Sequence, residues 1–151
     1  MAWFLNPLAE ISGAFRAVAA SAVLVLLTNG ASADEQFDCA NPSTQVEMSS
    51  CAGLDYEQAD SDLNALWPKV VAAAKANDEY IGDMARDRGV PTTFEALRAA
   101  QRAWIRFRDA QCEYEAYEVF GGTAQPMVGS LCLAQLTRER IEVLSRALEE
   151  R

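Results

Sequence analysis

The segment AQRAWIRFRDAQC, residues 100–112, is the most informative part of this sequence. Its larger side chains recur at spacings of three and four, which places them on one face of an α-helix. The whole face starts upstream of the segment and consists of Phe94, Leu97, Gln101, Trp104, Arg108 and Cys112. Two polar residues therefore share the face that this helix buries, which predicts a polar network inside the core.

A buried arginine requires a carboxylate partner, because an unpaired charge in a protein core costs several kcal/mol. On an earlier helix, Asp60 and Asn64 lie beside Leu63 at the facing positions. We predict that Arg108 pairs with Asp60 or Asp109, and that Gln101 and Asn64 complete the network. We interpret the network as a device that sets the register of the helices, with a ligand site as the alternative.

Helix starts are marked by two capping boxes, Thr44-Gln-Val-Glu47 and Thr92-Thr-Phe-Glu95. In each, the threonine side chain accepts from the amide three residues on, and the glutamate reaches back to the threonine amide. A third helix is expected to start near Pro126. Its apolar face contains Val128, Leu131, Ala134, Ile141, Leu144 and Leu148. Without any strand pattern, the prediction is an all-α antiparallel three-helix bundle or hairpin array.

Two features complicate the connection between the first and second helices. Pro68 removes one helical hydrogen bond and crowds the carbonyl of Asn64, so we expect a kink or break there. Within residues 75–91, Asn77-Asp78-Glu79 is positioned to cap a short fourth helix ending at Gly89. A charged loop is the alternative for this segment.

The four cysteines are Cys39, Cys51, Cys112 and Cys132. An even number of cysteines behind an export signal predicts two disulfides. Four cysteines can be joined in three ways. We favour disulfides between sequence neighbours, Cys39 with Cys51 and Cys112 with Cys132. In an antiparallel bundle, all four cysteines would lie at one pole. Because the sequence has no CxxC pair and no histidine, zinc or another metal is not expected.

Residues 1–33 have the pattern of a signal peptide. An apolar run of 11 residues, 17–27, follows Arg16, and Ala31-Ser32-Ala33 provides a cleavage site. Cleavage would leave residues 34–151 as one domain of 118 residues, with no segment apolar enough to span a membrane. We therefore predict a periplasmic or secreted protein, with an uncleaved anchor as the alternative.

Charge and composition restrict the classes of function. Without Glu10 and Arg16, residues 34–151 carry 21 acidic and 12 basic residues, so the net charge stays at −9. This charge argues against nucleic acid and would attract a basic protein partner, mainly through faster association. The alternative, which the charge alone favours, is that the acidity only promotes solubility. The absence of histidine excludes a serine or cysteine nucleophile that histidine activates. A cluster of carboxylates on the first helix, Asp55, Glu57, Asp60 and Asp62, is interpreted as a solvated acidic face, with a carboxylate-dependent hydrolase as a remote alternative. We predict no enzymatic activity and no cofactor.

The segment Phe120-Gly-Gly-Thr-Ala-Gln-Pro126 is the candidate binding loop. Its glycines permit positive φ and a close approach of a partner to the backbone. A disulfide between Cys112 and Cys132 would hold both ends and reduce the entropy lost on binding. The residues that we expect to bind a partner, from this loop and the acidic face, are Gly121, Gly122, Thr123, Gln125, Asp55 and Asp62. A plain turn between helices is the alternative.

Several motifs together resemble the LprI-like lysozyme inhibitor domain. They are Thr44-Gln-x-Glu47-Met48-x-x-Cys51, Tyr56-x-x-Ala59-Asp60-x-x-Leu63-Asn64, the block from Ala100 to Cys112, Gly121-Gly122-Thr123, and Thr137-x-x-Arg140. The resemblance implies a secreted helical protein that binds lysozyme or another basic envelope-active protein. The chain departs from the pattern at Thr123, where serine is usual, and in its longer segment between the first two helices. A structural or stress-related envelope protein that binds peptidoglycan or another envelope protein is the alternative.

Overall fold

The computed structural model describes residues 37–150 and shows three α-helices. They are α1 (Gln45–Asp87), α2 (Thr93–Ala116) and α3 (Gln125–Glu149), with a 3₁₀ turn at Tyr117–Val119 after α2. No strand occurs in this part of the chain. The predicted all-α fold with three main helices is confirmed, and the short fourth helix considered for residues 75–91 does not form. The predicted signal peptide, residues 1–33, lies outside the described residues.

The helices alternate in direction along the chain. Asp60 of α1 contacts Arg108 of α2, whereas Asp78, farther along α1, contacts the start of α2 at Thr93. These two helices are therefore antiparallel. Asp55 pairs with Arg138 of α3, and the later α1 residues Leu63 and Val70 pack with Leu144, so α1 and α3 run in the same direction.

Within residues 37–150, the structure contains no helix with the length and hydropathy that a membrane span requires.

Both predicted capping boxes are present. The hydroxyls of Thr44 and Thr92 accept from the amides of Glu47 and Glu95, at 3.2 and 3.4 Å. Each glutamate in turn accepts from the amide of its threonine at 2.9 Å. These hydrogen bonds satisfy amides that a helix start leaves without partners, which is why α1 and α2 start where the sequence predicts.

Of the kink or break expected at Pro68, the break is wrong, because Pro68 lies inside α1, a continuous helix of 43 residues and about 64 Å. Pro68 lies on the exposed side of the helix, where water can reach the carbonyl of Asn64. On the opposite side, Trp67 and Val70 pack into the core. Tertiary packing on both sides of the proline therefore maintains the helix across the missing hydrogen bond.

Residues 75–91 form neither a separate helix nor a charged loop, since most of them complete α1. The helix ends in a Schellman motif, in which the amide of Val90 donates to the carbonyl of Ala85 and that of Gly89 to Arg86, both at 3.0 Å. Gly89 takes the left-handed conformation that this motif requires, with φ of 67°. Gly89 therefore terminates α1 itself.

Asn77 and Asp78 cap α2 instead of starting a new helix. The carboxylate of Asp78 accepts from the backbone amides of Thr93 at 2.7 Å and Phe94 at 3.0 Å. Asn77 donates to the hydroxyl of Thr93 at 2.8 Å. Burial raises the pKa of Asp78, but the hydrogen bonds from Phe94 and Thr93 outweigh it and hold that pKa below its ordinary value. A carboxylate from α1 thus stabilises the positive N-terminus of α2.

The core lies where the three helices meet. Leu63, Val70 and Leu144 form its buried centre, and six partly buried side chains pack around them: Leu66, Trp67, Leu97, Trp104, Ile141 and Leu148. Closer to the cysteine pole, the buried residues are small, among them Ala52, Ala59 and Ala134. The larger apolar side chains thus fill the middle of the bundle, and small residues let the helices approach at one end.

The two disulfides join Cys39 to Cys51 and Cys112 to Cys132, as predicted. The first ties the chain before α1 to its second turn, and the second ties the end of α2 to the start of α3. Gln45 at the start of α1 also donates to the sulfur of Met127 in α3, at 3.7 Å. Each disulfide is expected to add about 2–4 kcal/mol to the stability of this pole.

Replacing Pro68 by alanine should stabilise the protein. Proline inside a helix is less favourable than alanine by about 3 kcal/mol, and the exposed ring makes no core contact that alanine would lose. We expect Pro68→Ala to raise the free energy of unfolding in urea by about 1–3 kcal/mol. Lys69→Ala, at the exposed neighbouring position, serves as the control, and an equal effect of both changes would contradict this account of Pro68.

The cap at Asp78 should make stability depend on acid pH. Because its pKa is lower in the folded state, Asp78 contributes stability that is present above the ordinary value of 3.8 and lost as pH falls through the folded-state value. In thermal melts from pH 6 to about pH 2, Asp78→Asn should lower the melting temperature most at pH 6 and least at the acid end. Asp87→Asn, on the same helix, is the control; identical pH profiles for the wild type and Asp78→Asn would contradict the role of this cap.

Candidate partner-binding site

Arg108 is the buried charge at the centre of the bundle, with 7% of its surface exposed. Its guanidinium donates to Asp109 at 2.9 Å, to Asp60 at 3.5 Å and to the hydroxyl of Thr137 at 3.4 Å. Asp60 also accepts from Asn64 at 2.8 Å. The group therefore connects all three helices, with both candidate carboxylates beside the same arginine.

Two aromatic rings complete the surroundings of Arg108. Its guanidinium lies 5.4 Å from the ring centre of Tyr56 and 5.1 Å from that of Trp104. Contact with aromatic rings is one of the few favourable environments for a partly dehydrated guanidinium. Burial raises the pKa of the Tyr56 hydroxyl, although the positive charge of Arg108 opposes that shift.

Gln101 binds a different arginine from the one that the sequence predicted. Its carbonyl accepts from Arg140 at 3.0 Å, and Arg140 lies 5.8 Å from the ring centre of Trp104. Burial lowers the pKa of Arg140. Trp104 therefore contacts the guanidiniums of both Arg108 and Arg140. Gln101 is connected to Arg108 only indirectly, through Arg140 and the Trp104 ring. Both halves of the network link α2 to α3.

The candidate loop is ordered by its own hydrogen bonds. Gly121 has a positive φ of 75°, and its amide donates to the side chain of Gln125 at 2.9 Å. The amide of Gly122 donates to the carbonyl of Val119 at 2.9 Å. Gln125 thus holds the turn from the first residue of α3, while Thr123 is exposed at its end. Of the four loop residues predicted to bind a partner, Gln125 is therefore committed to shaping the loop.

The two acidic residues predicted to contribute occupy different surroundings. Asp55 pairs with Arg138 and lines a shallow cleft with Met127 and Leu131, so a basic group already balances its charge. Asp62 is exposed and accepts from Gln58 at 2.9 Å. No hydrogen bond or ion pair within residues 37–150 joins either aspartate to the loop. The loop and the acidic face of α1 are thus separate features.

Exposed aromatic residues next to the loop were missed by the sequence reasoning. Tyr114, Tyr117 and Phe120 are 67%, 53% and 70% exposed. The rings of Tyr117 and Phe120 stack with their centres 5.2 Å apart. We call residues 113–124, which include these side chains and the loop, the tip. A sequence signal existed for Tyr114 and Tyr117, since helical spacing places both off the buried face defined by Arg108 and Cys112.

The tip is also the centre of a long segment without positive charge. Between Arg108 and Arg138 the sequence contains no lysine or arginine but four acidic residues, Asp109, Glu113, Glu115 and Glu118. Cys112 and Cys132 close this segment covalently. The surface is therefore rigid, aromatic and acidic, which suits the binding of a basic protein.

In the described residues, no group of three histidine, cysteine, aspartate or glutamate side chains could hold a metal ion.

The motifs and the two disulfides agree with a family comparison. The family model described as lysozyme inhibitor LprI matches residues 38–144, which include the network, all four cysteines and the tip. The chain belongs to the LprI family. An uncharacterized protein of Rhizobium meliloti (strain 1021) is 42% identical over 134 residues, which cover 87% of this chain and 95% of that protein. No solved structure matches the chain significantly.

Membership in the LprI family supports lysozyme inhibition in general terms. Members are secreted lysozyme inhibitors, and two disulfides fit an extracellular protein. The matched residues do not by themselves identify the binding surface, because many of them belong to the network around Arg108. The tip combines a stacked pair of exposed aromatic rings with acidic charge.

Truncating Arg108 should show the energetic weight of the network. Arg108→Ala removes the cation that pairs with Asp60 and Asp109 and the ring contacts with Tyr56 and Trp104. Because Asp60 and Asp109 remain partly exposed to water, we expect a loss of about 1.5–3 kcal/mol in the free energy of unfolding, measured by urea denaturation followed by circular dichroism. The exposed Arg106→Ala on the same helix should change stability by less than about 0.5 kcal/mol. Equal effects of the two variants would contradict a structural role for the buried arginine.

Proposed function

We propose that this LprI family member is exported to the periplasm or the exterior, where it binds and inhibits lysozyme through the tip without catalysis or a cofactor. The observation that carries the proposal is the combination of exposed stacked aromatic rings and acidic charge on a segment closed by a disulfide. The family supplies the identity of the partner.

The aromatic rings would supply most of the binding energy. Tyrosine and other large aromatic side chains are enriched among the few interface residues that dominate affinity. Tyr114, Tyr117 and Phe120 lie within seven residues, and the stack of Tyr117 on Phe120 restricts both rings before binding. A partner would therefore gain apolar contact area at little cost in side-chain entropy.

The acidic residues would mainly speed association and select a basic partner. Glu113 and Glu118 are exposed beside the rings, and no cation of the same segment offsets them. Complementary charge raises association rates, and this enhancement decreases as the salt concentration rises. Asp62 would add to this field from α1, whereas Asp55 would add less because Arg138 balances it.

Inhibition follows if the tip enters or covers the glycan-binding cleft of lysozyme. The tip connects two helices that the Cys112–Cys132 disulfide ties together, so its backbone would resist displacement. The hydrogen bond from Gly121 to Gln125 further restricts the loop. A preorganised protrusion of this kind loses little conformational entropy when it fills a concave site.

The first test is a cell-wall clearing assay in which the oxidised protein is titrated against an animal lysozyme at low and high salt. We expect stoichiometric inhibition at both, with weaker inhibition at high salt. No inhibition at any ratio would reject the proposal and favour the alternative of a structural or stress-related envelope protein that binds peptidoglycan or another envelope protein.

The second test assigns the surface. Tyr117→Ala combined with Phe120→Ala should weaken inhibition at least tenfold, equivalent to about 1.4 kcal/mol, with unchanged helical circular dichroism. Tyr80→Ala is the matched control, since this ring is 85% exposed on the part of α1 remote from the tip. Inhibition that survives the double change would exclude the tip as the binding surface.

Thr123→Trp provides a third variant of the same surface. Thr123 is the suitable loop position, because a side chain at Gly122 would place its Cβ 3.0 Å from the carbonyl oxygen of Val119. Gly121 is unsuitable as well, since its φ is positive. A bulky exposed ring at position 123 should weaken inhibition while the protein stays folded.

A further inference from the structure

A second surface, on the opposite half of α2 from the tip, has the properties of a ligand site. A groove between α1 and α2 has a volume of about 500 Å³. Its apolar lining includes Trp67, Val71, Phe94 and Ile105, and its polar lining includes Arg98 and Arg102. The volume lies within the range of about 300–1,000 Å³ typical of small-molecule sites.

The charge of this groove is opposite to that of the protein. Two arginines and no acidic residue line it, although the chain has 22 acidic and 13 basic residues. Within residues 37–150, neither Arg98 nor Arg102 is paired with a carboxylate. Arg98 instead lies 5.5 Å from the ring centre of Phe94, and Lys75 approaches the same ring at 5.0 Å. The groove therefore presents unpaired positive charge beside an aromatic surface.

Amide side chains add neutral hydrogen-bonding groups. Gln101 lines the groove, and its carbonyl is occupied by Arg140, so its amide NH₂ is free to donate. Asn64 also lines the groove and donates to Asp60, which leaves its carbonyl oxygen free to accept. One donor and one acceptor thus lie between the apolar lining and the arginines.

We propose that this groove binds a carboxylate-bearing, N-acylated saccharide of the muramic acid type. The arginines match a carboxylate, the amides of Gln101 and Asn64 match acylamino and hydroxyl groups, and the rings of Trp67 and Phe94 match the apolar face of a sugar. The proposal does not depend on lysozyme inhibition, because the groove and the tip share no residue.

The dimensions favour a saccharide over an acidic protein helix. A helix with side chains is about 10–12 Å wide. Lying along a groove of about 500 Å³, it would leave most of its surface outside. One or two sugar rings would instead fit within this volume, which is in the size range of small-molecule sites.

The test is an NMR titration of the oxidised, ¹⁵N-labelled protein with N-acetylmuramic acid, and in parallel with neutral N-acetylglucosamine. We expect saturable shifts at the amides of residues 63–67, 69–71 and 94–105 and at the indole of Trp67. N-acetylmuramic acid should bind at least about tenfold more tightly than the neutral sugar, because only the acid offers a charged partner to the arginines.

Matched arginine variants assign the carboxylate contact. Arg98→Ala and Arg102→Ala should each weaken binding of N-acetylmuramic acid about tenfold and leave binding of the neutral sugar unchanged. Arg106→Ala is the control, because this arginine is exposed on the same helix and does not line the groove. Equal losses of binding in all three variants would show that only general electrostatic attraction is involved, and would overturn the proposed site.

Two other results would also overturn the proposal. Absence of saturable shifts in the wild type would show that the groove does not bind this saccharide. Tighter binding of an acidic amphipathic peptide at the same amides would assign the groove to a protein partner. The same arginine variants should inhibit lysozyme as the wild type does, so failure of this site and failure of lysozyme inhibition are separate observations.

Discussion

The burial of one guanidinium, that of Arg108, constrains the whole bundle. Its partners come from all three helices: Asp60 from α1, Asp109 from α2 and Thr137 from α3. Removing such a charge from water is costly unless every partner is in place. Sliding α1 or α3 by one turn would remove Asp60 or Thr137 from the guanidinium and leave Asp109, on α2 itself, as a remaining partner. The three helices therefore have one register in which this charge is satisfied, which is why a small domain with many exposed apolar residues can still have a single packing.

The position of the tip follows from this register. Cys112 lies one helical turn after Arg108 on the same face of α2, so the alignment that satisfies the arginine also brings Cys112 to Cys132. The disulfide then holds the first turns of α3 against the last turn of α2, and the chain between them has to reverse within a few residues. Gly121, with its positive φ, and Gln125, which accepts from the Gly121 amide, make this reversal. The interior polar network thus holds the exposed aromatic rings in place without contacting them.

Sequence periodicity located the fold well because it reports the buried face of each helix. The capping boxes at Thr44 and Thr92, the cysteine pairs and the burial of Arg108 all depend on local spacing, which the sequence contains directly. The continuity of α1 through Pro68 depends on packing against another helix, which local rules omit. The hydrogen bond from the Thr93 amide to Asp78 joins two different helices. Local spacing therefore did not predict that Asp78 caps the start of α2. The same limit explains the tip: periodicity shows that Tyr114 and Tyr117 leave the buried face, but not that their rings gather beside Phe120.

Net charge is a poor guide to how this domain meets its surroundings. At −9 the protein attracts basic partners overall, yet α2 carries acidic residues at one end and unpaired arginines toward the other. Arg98 and Glu113 are separated by about 22 Å along the helix, roughly twice the screening length of about 8–10 Å at physiological salt. At that distance each surface acts largely through its own local charge. One rigid helix can therefore present an acidic, aromatic surface to a basic protein and a basic groove to an acidic saccharide, and the buried Arg108 between them keeps both ends of α2 in fixed relation to the rest of the bundle.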